Sequence, residues 1–298
     1  MLPAAPAQVS SEQTTASTLR FILQASRPGL WLTAVWFYLL PCGGHYLIDS
    51  PRFWLGIVYV SFPLGLLIYG WNDCVDYAAD QLNPRKGNIL FGARGTKEQL
   101  RRLPLWIALV QLPFAIAFVA VGGWKMLGFF AAMSAACFLY NNLNFKATPP
   151  LEIANQAGYL LVFVLASWVN DLPQLNWAAM LFGATFAMHS HIFGEVMDRV
   201  PDATAGRRTT AVVIGSVRAK LLMSVFLAVE AGLVCWAFRD GLITAFLAAS
   251  CAWFIVDALL LWHERPYSPL QMKLAMIGWN AIALGSMYWV WSHPLVRR

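Results

Sequence analysis

Apolar windows of roughly 18–22 residues recur along the chain, broken by polar intervals, and this is the spacing of helices that cross a bilayer. They begin near Trp31, Phe53, Leu103, Trp124, Leu151, Leu175, Val217, Gly241 and Gln271. The pattern predicts an all-α membrane protein, a bundle of about nine transmembrane helices. Residues 1–18 are rich in Ala, Pro, Ser, Thr and Gln and lack the basic and apolar regions of a signal peptide. They read as a disordered N-terminal tail ahead of one transmembrane domain over residues 19–298.

Composition agrees with the windows. Of 298 residues, 59% are hydrophobic and 12% charged, against about 25% charged in soluble domains. Mean hydropathy is +0.56. No composition shift or linker marks a second domain. The five cysteines lack CxxC spacing and most lie in apolar runs, which predicts buried, reduced thiols.

The net charge of +6 matters less than its distribution. When the sides are counted from the N-terminus, only Arg52, Lys125, Arg239, Arg297 and Arg298 fall opposite it. The positive-inside rule then puts the N-terminus in the cytoplasm, and in a bacterium the chain would lie in the inner (plasma) membrane. Because the basic residues track membrane loops, nucleic-acid binding is a poor explanation for them. The long polar connections, 74–102 and 197–216, lie on the cytoplasmic side, where function is expected.

One of these connections opens with Asn72, Asp73, Asp76 and Asp80, in Asn72-Asp73-Cys74-Val75-Asp76-Tyr77-Ala78-Ala79-Asp80. On a helix they would share an arc of about 100°. Charges near hydrocarbon cost up to about 2.5–3.5 kcal/mol each, so the group needs a reason, and a divalent cation supplies one. A second cluster, Glu195, Asp198 and Asp202, ends the sixth window on the same side, about 120 residues later. Pro201 predicts a kink or an end to that helix near Arg199. Each cluster closes the second helix of a four-helix set, which suggests a tandem repeat with facing acidic ends across a cavity open to the cytoplasmic face. Mg²⁺ suits such oxygen donors and is commonly shared with substrate phosphates. Basic residues that could meet a diphosphate lie close by: Arg27, Arg85, Lys86, Lys146, Arg207 and Arg208.

These residues resemble the UbiA superfamily of intramembrane prenyltransferases. Asn72, Asp73, Asp76 and Asp80 look like its NDxxDxxxD motif. Asp198 and Asp202, followed by Ala205-Gly206-Arg207-Arg208-Thr209-Thr210-Ala211 and Gly215, look like its DxxxD motif with the AGxxTxAxxxG tail. Arg27-Pro28-Gly29-Leu30-Trp31 is similar to the start of the family's first helix, and Tyr140 with Phe145-Lys146 to the segment between its fourth and fifth. The resemblance implies transfer of a prenyl group from a polyprenyl diphosphate to a lipophilic acceptor (aromatic, quinone precursor or carotenoid), with release of pyrophosphate. It implies Mg²⁺ held by Asn72, Asp73, Asp76, Asp80, Asp198 and Asp202, and diphosphate contacts from Lys146 and Arg27. Tyr140 would stand with Asp76 and Asp198 in catalysis. The phrasing of the loops looks closest to the lycopene-elongase type, whose acceptor would be the end of a carotenoid.

Other residues carry looser expectations. Trp71, Tyr77, Tyr140 and Phe193 could shelter an allylic cation through their ring faces. His189 and His191 point about 200° apart on a helix, so one is expected in the cavity, as a proton acceptor, and the other against a neighbour. Asn155 is a candidate amide in the acceptor or prenyl pocket, and Asp257, deep in the eighth window, has no assigned role. A membrane terpene cyclase without acceptor and, in a different class, a cation-coupled transporter remain open on these residues.

Overall fold

The computed structural model describes residues 11–295, and the chain within them is helical, with a single isolated bridge, Asn88 to Gly92, outside the helices. In chain order the helices are α1 (Ser11–Ala25), α2 (Trp31–Cys42), α3 (Pro51–Val75) and α4 (Tyr77–Leu82). Then come α5 (Lys97–Gly122), α6 (Lys125–Asn141), α7 (Leu151–Val169) and α8 (Trp177–Thr204). The last four are α9 (Thr210–Ile214), α10 (Ser216–Phe238), α11 (Gly241–Leu261) and α12 (Pro269–Ser292).

Six of these, α3, α5, α6 with the turn that follows it, α7, α10 and α11, are long and apolar enough to cross a membrane. The other three windows coincide with α2, α8 and α12. Helix α2 is only 12 residues long, carries Pro41 and stops at Gly43. Helices α8 and α12 are long enough, but polar residues such as His189, His191 and Asn280 dilute their apolar character. Of the segment expected as a tail over 1–18, the part from Ser11 is helical, and residues 1–10 lie outside the described residues.

Helix ends are closed locally. Thr96 with Gln99 and Ser268 with Gln271 form reciprocal capping boxes at α5 and α12. Asn176 and Asp240 cap α8 and α11. Among the described residues no disulfide joins the cysteines. Cys42 and Cys137 are buried as expected, whereas Cys235 is exposed on the outer face of α10.

Helix α8 is the centre of the bundle and packs against α10, α7, α9, α4 and α2-side aromatics. Small residues permit the approach: a Cβ on Gly183 would lie 2.4 Å from the ring of Phe163 on α7. A tight contact also joins α2 to α3, where Tyr38 is fully buried, donates to Phe53 O at 3.3 Å and accepts from Asn170 Nδ2 at 2.8 Å. Its hydroxyl would lie 2.0 Å from a Cβ on Gly56. Gly56→Ala is therefore expected to destabilise the fold by about 1–3 kcal/mol through overpacking, read as a lower midpoint of thermal denaturation in detergent, with Gly278→Ala, which meets open space, as the unaffected control.

Candidate active site

The acidic segment after α3 is shaped by two departures from a regular helix. Gln111 Nε2 engages the carbonyl of Pro63 at 2.7 Å, and the backbone widens into a π turn over Leu66–Gly70 just before Trp71. The helix then breaks at Asp76, whose φ of −102° and ψ of 12° separate α3 from α4. The predicted single face is thus divided. Asn72, Asp76 and Asp80 line a cavity of about 750 Å³. Asp73 is turned behind them, 2% exposed, between Arg27 and Lys86.

Helix α8 supplies the facing carboxylates. It does not end near Arg199 but runs through Pro201 to Thr204. Only a short last turn follows the proline, so little of the backbone hydrogen-bond ladder is lost. Asp198 and Asp202 therefore stay one turn apart on one face, and both line the cavity.

Cations from separate elements neutralise these acids. Lys86 Nζ reaches Asp73 Oδ1 at 2.7 Å and Asp80 Oδ2 at 3.0 Å. Arg27, left-handed at φ 49°, donates to Asn72 Oδ1 at 3.2 Å and Asp73 Oδ1 at 3.3 Å, and lies 4.6 Å over the ring of Tyr69. Lys146 and Arg207 both pair with Asp76. Arg85 forms a two-armed pair with Asp198, which also accepts from Asn83 Nδ2 at 2.8 Å. Arg207 reaches Asp202 at 3.3 Å. Burial, helped by the charge on Asp73, pushes the Asp80 carboxyl up to about 6 although Lys86 opposes it.

Of the cations proposed from sequence, Arg27, Arg85, Lys86, Lys146 and Arg207 line the cavity. Arg208 is exposed and stands outside it, one residue beyond the turn that aims Arg207 at Asp76. Tyr140, Asn155 and His189 line the cavity, with Asn155 Nδ2 3.4 Å from Ala136 O. His191 lines it as well, contrary to the expectation for one of the two histidines, because the cavity wraps a wide arc of α8. His191 Nε2 lies 3.1 Å from Glu195 Oε1, and its ring stands edge-on to Tyr140 at 5.9 Å. Glu195 also accepts from the Ala211 N–H at 3.0 Å, tying α9 to α8.

Among the aromatic candidates, Phe193 lines the cavity, packed against Phe254 and Tyr267. Trp71 instead donates to Asn142 Oδ1 at 2.9 Å, and Tyr77 lies under Lys97 at 5.6 Å. Asp257 is paired with Lys220 at 3.0 Å and with the Tyr267 hydroxyl. Asn83 and Asn141 are positioning residues that spacing could not single out: Asn141 Oδ1 accepts from Asn72 Nδ2 at 3.0 Å. Deeper in the cavity the lining becomes aromatic and apolar, with Phe37, Phe186, Trp253 and Trp279.

A helical bundle with two acidic, cation-paired helix ends facing one partly apolar cavity suits a ligand that is charged at one end and apolar at the other. The family model described as UbiA prenyltransferase family matches residues 30–281, so the chain belongs to the UbiA prenyltransferase family and is a prenyltransferase. Relatives include a lycopene elongase/hydratase from Corynebacterium glutamicum, 29% identical over 257 residues, covering 80% of this chain and 87% of its own. A lycopene elongase/hydratase from Halobacterium salinarum is 28% identical, covering 67% of this chain and 73% of its own. Among solved structures, a UbiA homologue from Archaeoglobus fulgidus bound to DMAPP and Mg²⁺ superposes with a TM-score of 0.67 at 19% identity, over 91% of this chain and 98% of the other. The same homologue bound to GPP and Mg²⁺ gives a TM-score of 0.66 at 18% identity, over 90% and 98%.

Lys86 is 8% exposed and serves two buried carboxylates, so Lys86→Met is expected to cost about 3–5 kcal/mol, the penalty for breaking a buried pair. Arg208→Ala should stay within about 0.5 kcal/mol, as for an exposed side chain without partners in the core. Thermal denaturation of the purified protein in detergent measures both.

Proposed function

We propose that this enzyme catalyses Mg²⁺-dependent transfer of a prenyl group from a polyprenyl diphosphate to the terminal double bond of an acyclic carotenoid, with release of pyrophosphate. The observation that carries the reading is the shared cavity, lined by five metal-type donors (Asn72, Asp76, Asp80, Asp198 and Asp202), by five cations (Arg27, Arg85, Lys86, Lys146 and Arg207) and by aromatic walls. The lycopene elongase/hydratase relatives support a carotenoid acceptor, and the solved homologue's DMAPP and Mg²⁺ support the donor and the cation. In this reading nine helices cross the membrane, the N-terminus is cytoplasmic, and the acidic mouth takes the diphosphate from that side.

The donor set fits Mg²⁺. Among the described residues no group of three or more His, Cys, Asp or Glu is gathered as a closed metal site, since each acid leans on a cation instead. Yet Asp73 Oδ2 is buried with no hydrogen-bond partner, and the candidates are carboxylates and one amide, the hard oxygen donors that Mg²⁺ takes. Asn72, Asp73, Asp76 and Asp80 would hold it on one side and Asp198 and Asp202 on the other. When bound, Mg²⁺ supplies Lewis-acid stabilisation of the charge that gathers on the departing diphosphate.

The chain's own residues supply the rest. Lys146, Arg207, Arg85 and Arg27 rest on carboxylates and would turn to phosphate oxygens when the acids engage metal, so the mouth stays near charge balance. Tyr140 lines the cavity beside His191, and its hydroxyl and ring would serve the leaving group and the first prenyl carbons. Phe186, Phe193 and Trp279 present ring faces and edges to an allylic cation, worth about 0.5–2 kcal/mol each in a dry site. The apolar walls exclude water that would otherwise capture that cation.

In membranes given a labelled prenyl diphosphate, Asp76→Asn and Asp198→Asn are each expected to abolish Mg²⁺-dependent pyrophosphate release, and wild-type rates in both would refute the assignment. Arg207→Ala should lower the rate by about 10²-fold, the size of losing one preorganised donor, while Arg208→Ala leaves it unchanged. A labelled hydrocarbon formed without acceptor would favour a terpene cyclase instead.

A further inference from the structure

His189 and Glu230 form a buried pair that the diphosphate site does not use. His189 Nδ1 lies 2.7 Å from Glu230 Oε1, and the two residues are 5% and 0% exposed. His189 lines the cavity, edge-on to Phe186 at 5.1 Å and to Trp279 at 6.3 Å. Glu230 comes from the neighbouring helix α10, and its second oxygen, Oε2, has no hydrogen-bond partner.

The pair has the form of an oriented base. With Glu230 ionised, its carboxylate only accepts, which puts the ring proton on Nδ1 and leaves Nε2 its lone pair. A buried carboxylate beside a neutral ring is incompletely compensated, and it favours any positive charge that forms next to it. Protonation of the imidazole would satisfy that demand. The pair beside it on α8, His191 with Glu195, is less suited, because Glu195 already holds the Ala211 N–H and closes α9.

Position agrees with this role. His189 precedes Asp198 by nine residues on α8, a rise of about 13 Å. The two residues point to opposite faces of an ideal helix, and both line the one cavity because it wraps α8. The histidine therefore meets the cavity away from the diphosphate end, beside Phe186 and Trp279.

We propose that His189, oriented by Glu230, is the base that ends the reaction by taking a proton from the prenylated acceptor cation; this rests on the prenyl-transfer reading above. The allylic C–O bond breaks and its electron pair leaves with the diphosphate. The π pair of the acceptor's terminal double bond forms the new C–C bond, which leaves a tertiary cation one carbon away. A C–H bond next to that cation gives its electron pair to a new double bond and its proton to Nε2. The imidazolium is paired with Glu230 until the proton departs with the pyrophosphate, so charge and atoms balance over the turnover. His189 is thereby a catalytic residue and Glu230 a positioning one.

The test uses membranes carrying the full chain, labelled dimethylallyl diphosphate and lycopene as acceptor, with pyrophosphate release and the alkene and alcohol products measured separately. In His189→Gln, the alkene product is expected to fall by about 10²-fold, the usual worth of a general base. Pyrophosphate release should fall less, and the alcohol-to-alkene ratio should rise as water captures the cation. Glu230→Gln should shift the ratio in the same direction by a smaller factor, and it carries the test if His189→Gln does not fold. Unchanged rates and ratios in both variants overturn the proposal, as does a parallel fall of pyrophosphate and both products, which marks a binding role. If wild-type membranes make no prenylated product and release no pyrophosphate, the prenyl-transfer reading fails and the base with it. If wild type is active and Asp76→Asn is not, unaffected His189 and Glu230 variants refute the base alone.

Discussion

A carboxylate withdrawn from water is tolerable only beside a cation, and this constraint organises the mouth of the cavity. Asp73, Asp76, Asp80 and Asp202 are all buried. Each is met by a basic residue: Asp80 and Asp202 by the nearby Lys86 and Arg207, Asp73 by Arg27 before α2, and Asp76 by Lys146 after α6 and Arg207 after α8. The acids thereby draw four separate connections to one place. Loop positions that would otherwise be free become defined by charge pairing. The loop carrying Arg85 and Lys86 is further pinned where Ile89 O accepts from the Gly29 N–H at 3.3 Å, with Leu90 packed so closely that a Cβ on Gly29 would lie 2.3 Å from its carbonyl.

In the proposed reaction the same pairings would prepare the site for exchange. Arginines and a lysine held on carboxylates are already desolvated and oriented, so replacing carboxylate oxygens with phosphate oxygens changes partners without changing the kind of contact. A diphosphate and divalent cations arriving together would satisfy both sets at once. Either alone would leave one set in excess, which links the binding of one to the binding of the other.

Much of this was legible in the chain. Window lengths located the helices, and the acidic clusters located the mouth, because both depend on residue type and spacing alone. What spacing could not express was local departure from regularity. The π turn before Trp71 and the break at Asp76 turn Asp73 away from its neighbours, whereas an ideal helix keeps them on one face. Pro201 has the opposite effect, being absorbed in a last turn where a general rule predicts an end. Adjacent Arg207 and Arg208 are equivalent by composition, and only the turn at Gly206, with φ 74°, directs one inward and leaves the other exposed. Asp257, unexplained by sequence, is closed by Lys220 and Tyr267, partners 37 and 10 residues away.

That closure separates two kinds of buried polar group. Native interiors satisfy nearly every buried donor and acceptor, so the exceptions carry information. Among the described residues the open atoms belong to Arg27, Asp73, Glu152, Asn170, Ser190, His191, Glu195, Thr209 and Glu230. Arg27, Ser190, His191, Glu195 and Thr209 line the cavity. Asp73, Glu152 and Glu230 bond directly to Arg27, Gln156 and His189, which also line it. Only Asn170 stands apart, beside Tyr38 in the core. Incomplete hydrogen bonding is therefore concentrated on one cavity, although on its wall Asp257 is completed by Lys220 and the Tyr267 hydroxyl. Four of the open atoms, on Asp73, Glu152, Glu195 and Glu230, are carboxylate oxygens, which only accept, so what would complete them at this cavity is a donor or a cation brought in with the ligand.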